Sequence, residues 1–210
     1  MSKPVIILGA GGHAKVIIDI LLVQQCQIIG ITEAGYQRHS QVLGIDIIGG
    51  DEAVAKYQPQ DVLLVNAVGM LPYSDRRLQL YKKFKQQSYH FKSAIHSASV
   101  IANETQLAEG IQVMAGAIIN PGVVIAENCI VNTGAIIDHD CNIGSGVHIA
   151  PGATIGGGVV VGDNTFIGMG AVILNGIKVA SNSVVGAGAV VTADVPENVT
   201  VAGVPAKRIK

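Results

Sequence analysis

The sequence predicts an α/β domain over residues 1–91, followed over residues 92–210 by an all-β domain of parallel, repeated coils. Up to about residue 91, short apolar runs alternate with segments of helical spacing, a pattern typical of a parallel sheet. From Ile95 onward an aliphatic residue recurs every six positions, which is typical of a β-helix. Glycine is frequent, at 26 residues, and aromatic residues are only 4% of the chain. The core is therefore expected to be thin and built from Val, Ile and Ala.

Six elements are expected in the first domain. Apolar runs predict its strands, and helical spacing predicts its helices. In chain order these are a strand at 5–8, a helix at 12–22, a strand at 27–31, a short helix at 51–57, a strand at 61–68 and a helix at 74–87. Right-handed crossovers should connect the parallel strands.

The second domain is predicted from 17 aliphatic residues, spaced six apart without a gap from Ile95 to Val191. In each six-residue repeat the recurring aliphatic residue occupies slot one, and the five residues after it occupy slots two to six. Side chains in slots five and one should point inward, so that slot six points outward. Repeats such as IGSGVH and VGAGAV resemble those of the left-handed parallel β-helix. In that fold three repeats form a triangular coil, residues 18 apart stack, and glycine suits the corners.

The residues in slot six define three outward faces. The first face is apolar and consists of Val100, Ile118, Ile136, Thr154, Val172 and Val190. The second consists of Gln106, Val124, Asn142, Val160 and Lys178, and the third of Gln112, Ile130, His148, Phe166 and Val184. A soluble monomer rarely exposes an apolar stripe of this length. We therefore expect a cyclic homotrimer assembled through the first face, with Ile118, Ile136, Val172 and Val190 at the interface.

The stretch IIDHDCNIG places His139, Asp140 and Cys141 side by side. A Cys next to a His could be a nucleophile with its base. However, Cys141 occupies slot five, as Cys129 does two repeats earlier, so both are predicted to fill the core. His139 and Asp140 lie at a corner that borders the first face, and we expect them in a cleft between two subunits. Asp140 can raise the basicity of the imidazole; the alternative interpretation is a solvated corner histidine.

A glycine-rich loop, GAGGHA at 9–14, follows the first predicted strand and opens the first helix. It fits G-x-G-x-x-[GA], and Glu33 ends the second strand, where an acidic residue is expected to bind a ribose. Glycines at this position let main-chain N–H groups approach a phosphate. Because only half of a dinucleotide domain is present, a mononucleotide-sized ligand is favoured. The alternative is a purely structural glycine turn.

The histidines allow two further interpretations. His148 faces outward between Ile130 and Phe166, either incidentally or as a ligand contact. Together, His96, His139 and His148 could form a zinc site such as that of the gamma-class carbonic anhydrases. Their spacings of 43 and 9 residues do not match the close histidine pair of that class. We therefore predict no metal.

Composition excludes several functional classes. The formal net charge of −1 gives no attraction to nucleic acid or to an anionic membrane. The three cysteines are odd in number and scattered, so no disulfide framework is implied. No apolar run approaches membrane-spanning length, and the N-terminal apolar run lacks the cleavage region of a signal peptide. The expectation is a cytoplasmic protein without membrane insertion.

Over its full length the sequence resembles bacterial hexapeptide-repeat acetyltransferases that act on amino sugars. These are the nucleotide-sugar 4-N-acetyltransferases and the related sialic acid O-acetyltransferases. The matching segments are ILGAGGHAKV, LGIDIIGGDE, VNAVG, RRLQLYKKF, AIHSASVIA, VNTGAIIDHDCNIGSGVHIAPGATIGGGVVVG and VPENVTVAGVPAKRI. The resemblance implies a Rossmann-like domain, half of a dinucleotide fold, that binds a nucleotide sugar. It also implies a left-handed β-helix that binds acetyl-CoA and carries the catalytic residues, and a role in surface polysaccharide or glycan biosynthesis.

The resemblance also implies roles for individual residues. His139 would be the general base and Asp140 its supporting acid. The nucleotide sugar would contact Gly11, Gly12, His13, Thr32, Glu33 and Gly69. Acetyl-CoA would contact His148, Gly157, Met169 and Ala187, with the N–H of Gly157 near the thioester carbonyl.

The predicted function is transfer of an acetyl group from acetyl-CoA to the 4-amino group of a UDP- or dTDP-linked amino-dideoxy sugar. The transfer would be direct, without an acyl-enzyme. The alternative within the family is O-acetylation of sialic acid or a related sugar. From other classes, a zinc enzyme related to the gamma-class carbonic anhydrases and a nucleotide-binding assembly scaffold remain as alternatives.

Overall fold

The computed structural model describes residues 3–36 and 39–210, which divide into two compact units. The first unit holds the chain up to Met70 together with Ser74–Ala94, and the second holds Leu71–Tyr73 together with Ile95–Lys210. Within the described residues, no helix has the length and apolar character needed to cross a membrane.

The first unit is an α/β domain built on a five-stranded sheet. In chain order its described elements are β1 (Val5–Leu8), α1 (Gly12–Val23), β2 (Ile28–Thr32), β3 (Gln41–Val42), β4 (Ile45–Gly49), a 3₁₀ helix (Asp51–Lys56), β5 (Leu63–Asn66) and α2 (Arg76–Gln86). The strand order is β3-β4-β2-β1-β5, and all neighbours are parallel except β3 and β4. The chain leaves β1 for β2 on one side and returns to β5 on the other. The order therefore reverses at β1, and such a reversal opens a ligand crevice at the carboxyl ends of the strands.

The three predicted strands and the first and last predicted helices of this unit are confirmed, with small shifts of their ends. The segment 51–57, expected as a helix, forms a 3₁₀ helix over Asp51–Lys56 instead. The hairpin of β3 and β4 was not predicted. Its two-residue turn is Leu43-Gly44, with φ angles of 49° and 78°. Such a turn normally carries Asn-Gly or Asp-Gly, so a leucine there conceals it in the sequence.

The second unit is a solenoid of three sheets made of very short strands, all parallel except the antiparallel pair β23 and β24 at the C-terminal end. The first sheet contains β7 (Val100–Ile101), β10 (Ile118–Ile119), β13 (Ile136–Ile137), β16 (Thr154–Ile155), β19 (Val172–Ile173) and β22 (Val190–Val191). The second contains β8 (Gln106–Leu107), β11 (Val124–Ile125), β14 (Asn142–Ile143), β17 (Val160–Val161) and β20 (Lys178–Val179). The third contains β6 (Ala94–Ile95), β9 (Gln112–Val113), β12 (Ile130–Val131), β15 (His148–Ile149), β18 (Phe166–Ile167), β21 (Val184–Val185), β23 (Thr200–Ala202) and β24 (Lys207–Arg208).

Residues 18 apart pair along the regular part of the solenoid, as predicted. Ile118 pairs with Ile136, and Ile137 pairs with Ile155. The unit is a parallel β-solenoid, the architecture of a left-handed β-helix. The three predicted faces are therefore three sheets.

Side chains in slots one and five form the core of the solenoid. Ala135, Ile137, Cys141 and Ile143 are each at most 1% exposed. The prediction that Cys129 and Cys141 are core residues is confirmed, since both are 1% exposed and neither forms a disulfide.

The outward faces differ in exposure. Slot six of the first sheet is open to varying degrees, and Val100 is the most exposed at 62%. Slot six of the second sheet is exposed throughout. The third face is mostly buried, and Gln112 and Ile130 are each 1% exposed. The first and second faces are therefore the open ones.

The last coil departs from the six-residue rule. Val184 pairs with Thr200, and Val179 pairs with Val195, so this coil is two residues shorter than the others. Val195, expected in slot five, stacks on a slot-one residue, so that assignment was wrong. The carboxylate of Asp194 accepts the N–H of Lys178 at 2.8 Å. In regular coils the N–H of the corresponding slot-six residue donates to a main-chain carbonyl of the next coil.

Candidate active site

The stretch around His139 forms the corner between the first and second sheets. It begins after β13 and ends at β14, with His139 in slot three and Asp140 in slot four. Asp140 has a φ of 58°. From Gly110 to Gly188, slot four always has a positive φ and is otherwise filled by Gly or by Asn, such as Asn164 and Asn182. Aspartate, like asparagine, is one of the few residues besides glycine that adopt this conformation readily, so Asp140 fits the corner.

The His139 imidazole and the Asp140 carboxylate form a hydrogen-bonded pair. Nδ1 of His139 lies 2.8 Å from Oδ2 of Asp140, and the two side chains are 56% and 73% exposed. Because a carboxylate only accepts, Nδ1 carries the proton and Nε2 remains free to act as a base. The bond with Asp140, and next the negative charge of Asp138, raise the pKa of His139 above its usual value. The pair has the geometry and charge of a general base with its supporting acid.

Asp138 is a member of this site that the sequence analysis missed. Its Oδ1 accepts the N–H of His139 at 2.8 Å and the side-chain amide of Asn120, one coil earlier, also at 2.8 Å. The bond from the His139 N–H, and then the one from Asn120, lower the pKa of Asp138. It therefore stays ionised beside the imidazole. The sequence did contain a signal for Asp138, namely an acidic residue in slot two with an asparagine 18 positions before it.

Gly157 lies one coil beyond His139 in the same slot. A Cβ at this position would be 2.6 Å from Nε2 of His139, so the imidazole rests directly against the glycine. Its N–H has no acceptor among the described residues. The N–H of slot three takes no part in the main-chain ladder, although its carbonyl does, which explains why Pro121 and Pro151 are tolerated there. The site thus combines a base with a main-chain donor beside it.

The predicted acetyl-CoA contacts Met169 and Ala187 lie at a different corner, between the third and first sheets. They are in slot three of successive coils, and both are exposed. His148 is buried in the third sheet, where its Nε2 lies 3.1 Å from the side-chain amide of Asn132 and its ring stacks edge-on against Phe166. Within one chain, the structure does not bring these residues to the His139 corner.

The glycine loop of the first unit lies at the reversal of strand order. Gly11 and Gly12 are exposed, and a Cβ at either would meet nothing within 4 Å. A Cβ at Gly69, which follows β5, would lie 3.5 Å from the Cβ of His13. The structure therefore brings the loop after β1 and the loop after β5 together, as a ligand crevice requires.

Thr32 and Glu33, at the end of β2, are placed differently from each other. Thr32 is fully buried, and its hydroxyl donates to Oδ1 of Asp51 at 3.1 Å. Glu33 accepts the N–H of Ala10 at 2.6 Å and lies 3.7 Å from Arg76. Glu33 thus braces the glycine loop, while the Thr32 side chain faces the interior.

The structure offers no support for the zinc alternative. Across residues 3–36 and 39–210, no group of three or more His, Cys, Asp or Glu side chains is arranged to hold a metal ion. Nδ1 of His96 accepts the N–H of Ala98 at 2.9 Å.

Comparison with known proteins agrees with this description. Residues 4–84 match the family model of the PglD N-terminal domain, and residues 158–193 match that of the bacterial transferase hexapeptide repeats. PerB from Caulobacter crescentus, solved with CoA and GDP-perosamine, is 36% identical to this chain. The match covers 100% of this chain and 99% of PerB, with a TM-score of 0.92. The chain belongs to the bacterial hexapeptide-repeat sugar acetyltransferases.

A second solved relative of this sugar acetyltransferase is the acetyltransferase domain of PglB from Neisseria gonorrhoeae. It is 30% identical over 99% of this chain and 100% of the domain, with a TM-score of 0.92. A complex of that domain with acetyl coenzyme A is also known. No curated protein sequence matches the chain. The sugar acetyltransferase is thus an acyltransferase, and its co-substrate is acetyl-CoA.

Proposed function

We propose that this enzyme transfers the acetyl group of acetyl-CoA to the 4-amino group of a nucleotide-linked amino-dideoxy sugar, with His139 as the general base. The observation that carries the proposal is the stacking of the paired His139 imidazole on Gly157, whose N–H is unbonded. The GDP-perosamine bound by PerB supports a nucleotide sugar as the acceptor. UDP and dTDP are the nucleotides that the sequence resemblance favours.

The reaction is a single displacement at the thioester. The amine nitrogen forms a bond to the carbonyl carbon, and its proton passes to Nε2 of His139. Asp140 stabilises the resulting imidazolium through Nδ1. The N–H of Gly157 donates to the oxygen as it becomes negative. The carbon–sulfur bond then breaks, and CoA leaves as a thiolate that takes up the proton.

The first unit is proposed to hold the nucleotide sugar. Gly11, Gly12 and the N-terminus of α1 offer main-chain N–H groups to a diphosphate. Gly69 and His13 form the opposite side of the same crevice. Because the Thr32 side chain is buried and bonded to Asp51, its contact with the sugar nucleotide is proposed through the main chain alone.

The acetyl-CoA site is proposed to lie between two subunits of a homotrimer. The His139 corner and the Met169–Ala187 corner border opposite edges of the first sheet. Packing the first faces around a three-fold axis would bring one such edge of each subunit to the other edge of its neighbour. Two half-sites that are separated in one chain would then form one cleft. His148 lies in the third sheet, so its proposed contact with CoA requires that the cleft extend to that sheet.

The test is thiol release from acetyl-CoA with a panel of acceptors. The panel contains GDP-perosamine, UDP- and dTDP-linked 4-amino sugars, and sialic acid. General base catalysis contributes about 10²–10⁴-fold, so His139→Ala should lower kcat by that factor with little change in the KM for acetyl-CoA. Near-normal turnover by His139→Ala would refute the base assignment. Thiol release with sialic acid and with no amino sugar would replace N-acetylation by O-acetylation.

A further inference from the structure

The peptide group between Gly156 and Gly157 is bound from inside the solenoid by a thiol. Its carbonyl oxygen accepts a hydrogen bond from Sγ of Cys141 at 3.1 Å. No other donor to this oxygen is found among the described residues. The N–H of the same peptide is the Gly157 donor of the proposed active site. One peptide therefore joins a buried core residue to the donor that faces the reaction.

We propose that Cys141 is a positioning residue, whose thiol orients and polarises the Gly156–Gly157 peptide so that Gly157 is a better hydrogen-bond donor to the oxyanion. The role rests on the proposed function. A hydrogen bond accepted by a carbonyl draws charge from the amide and strengthens its N–H, because linked hydrogen bonds polarise one another. Burial raises the pKa of the Cys141 thiol, so it keeps the proton that it donates. Cys141 thus acts through the main chain and forms no bond to the acetyl group.

The same bond recurs elsewhere in the solenoid and supplies a matched control. Sγ of Cys129 lies 3.0 Å from the carbonyl oxygen of Gly144, in the same slot and with the same 15-residue spacing. There the following N–H, that of Ser145, already donates to Asp163 at 2.8 Å. The Cys129 bond therefore belongs to the fold alone. Both cysteines are 1% exposed and each donates to a carbonyl 15 residues later, but only Cys141 adjoins an N–H without an acceptor. Sγ of Cys129 also lies 3.6 Å from the carbonyl oxygen of Glu127.

Other slot-five residues show which substitutions the site accepts. The hydroxyl of Ser183 donates to the carbonyl of Pro196 at 2.7 Å, so serine can make this bond from slot five. Valine fills slot five at Val147 and Val159 without a donor. Cys141→Ser should therefore keep the hydrogen bond, and Cys141→Val should remove it while filling the core.

The expected kinetic effect is a lower kcat with an unchanged KM for acetyl-CoA. Loss of a whole oxyanion donor costs about 10²–10³-fold, and polarisation contributes about 10–30% of a bond, so Cys141→Val should lower kcat by roughly two- to eightfold. Cys141→Ser should restore it. Cys129→Val should leave kcat unchanged while shifting the thermal unfolding midpoint as much as Cys141→Val does.

A measurement without substrate separates this inference from the proposed function. In protein labelled with ¹⁵N-glycine, the Gly157 amide nitrogen should move upfield in Cys141→Val, return in Cys141→Ser and stay unmoved in Cys129→Val. The role of Cys141 is overturned if the Gly157 amide nitrogen has the same chemical shift in Cys141→Val as in the unmodified enzyme. It is also overturned if Cys141→Val and Cys129→Val have equal kcat. Either result leaves the proposed function standing. Absence of thiol release by the unmodified enzyme with every acceptor overturns the proposed function and this role with it, whatever the amide resonance does.

Discussion

Replacement of Gly157 by alanine should greatly reduce activity without unfolding the enzyme. The added Cβ would lie 2.6 Å from Nε2 of His139, whereas an ordinary contact begins at 3.4 Å. The imidazole must therefore move by about 0.8 Å to relieve the overlap. It can do so at little cost in stability, because it is 56% exposed and can turn outward. Gly157 also lacks the positive φ that would strain an alanine.

The cost of this displacement should appear in catalysis. Misplacing a reacting group by about 1 Å can lower the rate by about 10²-fold, so kcat of Gly157→Ala should fall by about that factor. Alanine keeps the main-chain N–H, so the fall in kcat would come from the displaced imidazole and not from loss of the oxyanion donor. Thiol release measures kcat, and thermal unfolding of the same samples measures stability.

The control for Gly157→Ala is the same substitution in a His139→Ala background. There the overlap is absent, so the added methyl group should leave the unfolding midpoint unchanged or raise it. The reasoning fails if Gly157→Ala keeps kcat within about twofold of the unmodified enzyme. It also fails if the midpoint falls by the same amount in both backgrounds, because the strain would then not involve the imidazole.

Two further predictions concern the supporting acid and the first face. A base acts when it is unprotonated, so the raised pKa of His139 places the acid limb of the kcat/KM profile above the usual histidine value. Asp140→Asn should keep the fold, lower the pKa of His139, shift this limb to lower pH and reduce the plateau; a pH–rate profile with an unmoved limb would contradict this. Ile136→Lys combined with Val172→Lys should dissociate the proposed trimer and abolish activity, as followed by sedimentation and thiol release. Val160→Lys, on the exposed second face, should change neither, and a monomeric unmodified enzyme would refute the proposed interface.

Most of the solenoid was predictable because every coil repeats one set of main-chain bonds. The six-residue count alone identified Cys129 and Cys141 as core residues, although a cysteine beside a histidine looks reactive. The count fails in the last coil, where a side chain of Asp194 replaces a main-chain carbonyl. Such a replacement depends on one local contact, and nothing in the apolar period records it.

The candidate site was only partly predictable. The six-residue count placed His139 and Asp140 at a corner, and the family resemblance added Gly157, which stacks on His139 one coil later. It missed Asp138, which acts through a main-chain N–H and a neighbouring asparagine. It also did not show that the Thr32 side chain turns to the interior, where its hydroxyl donates to Asp51. The direction of a side chain at a strand end depends on tertiary partners that a strand pattern does not specify.

The stacking of consecutive coils also determines how far His139 stands from Gly157. His139 and Gly157 occupy the same corner position of consecutive coils, so their main chains are separated by about the interstrand repeat of 4.8 Å. Bonds such as that from the Gly158 N–H to the His139 carbonyl, at 2.9 Å, maintain this separation. The proposed base and the proposed oxyanion donor are thus set apart by a constant of backbone geometry, not by the packing of side chains. Core substitutions that loosen the solenoid should lower its melting temperature well before they change this distance.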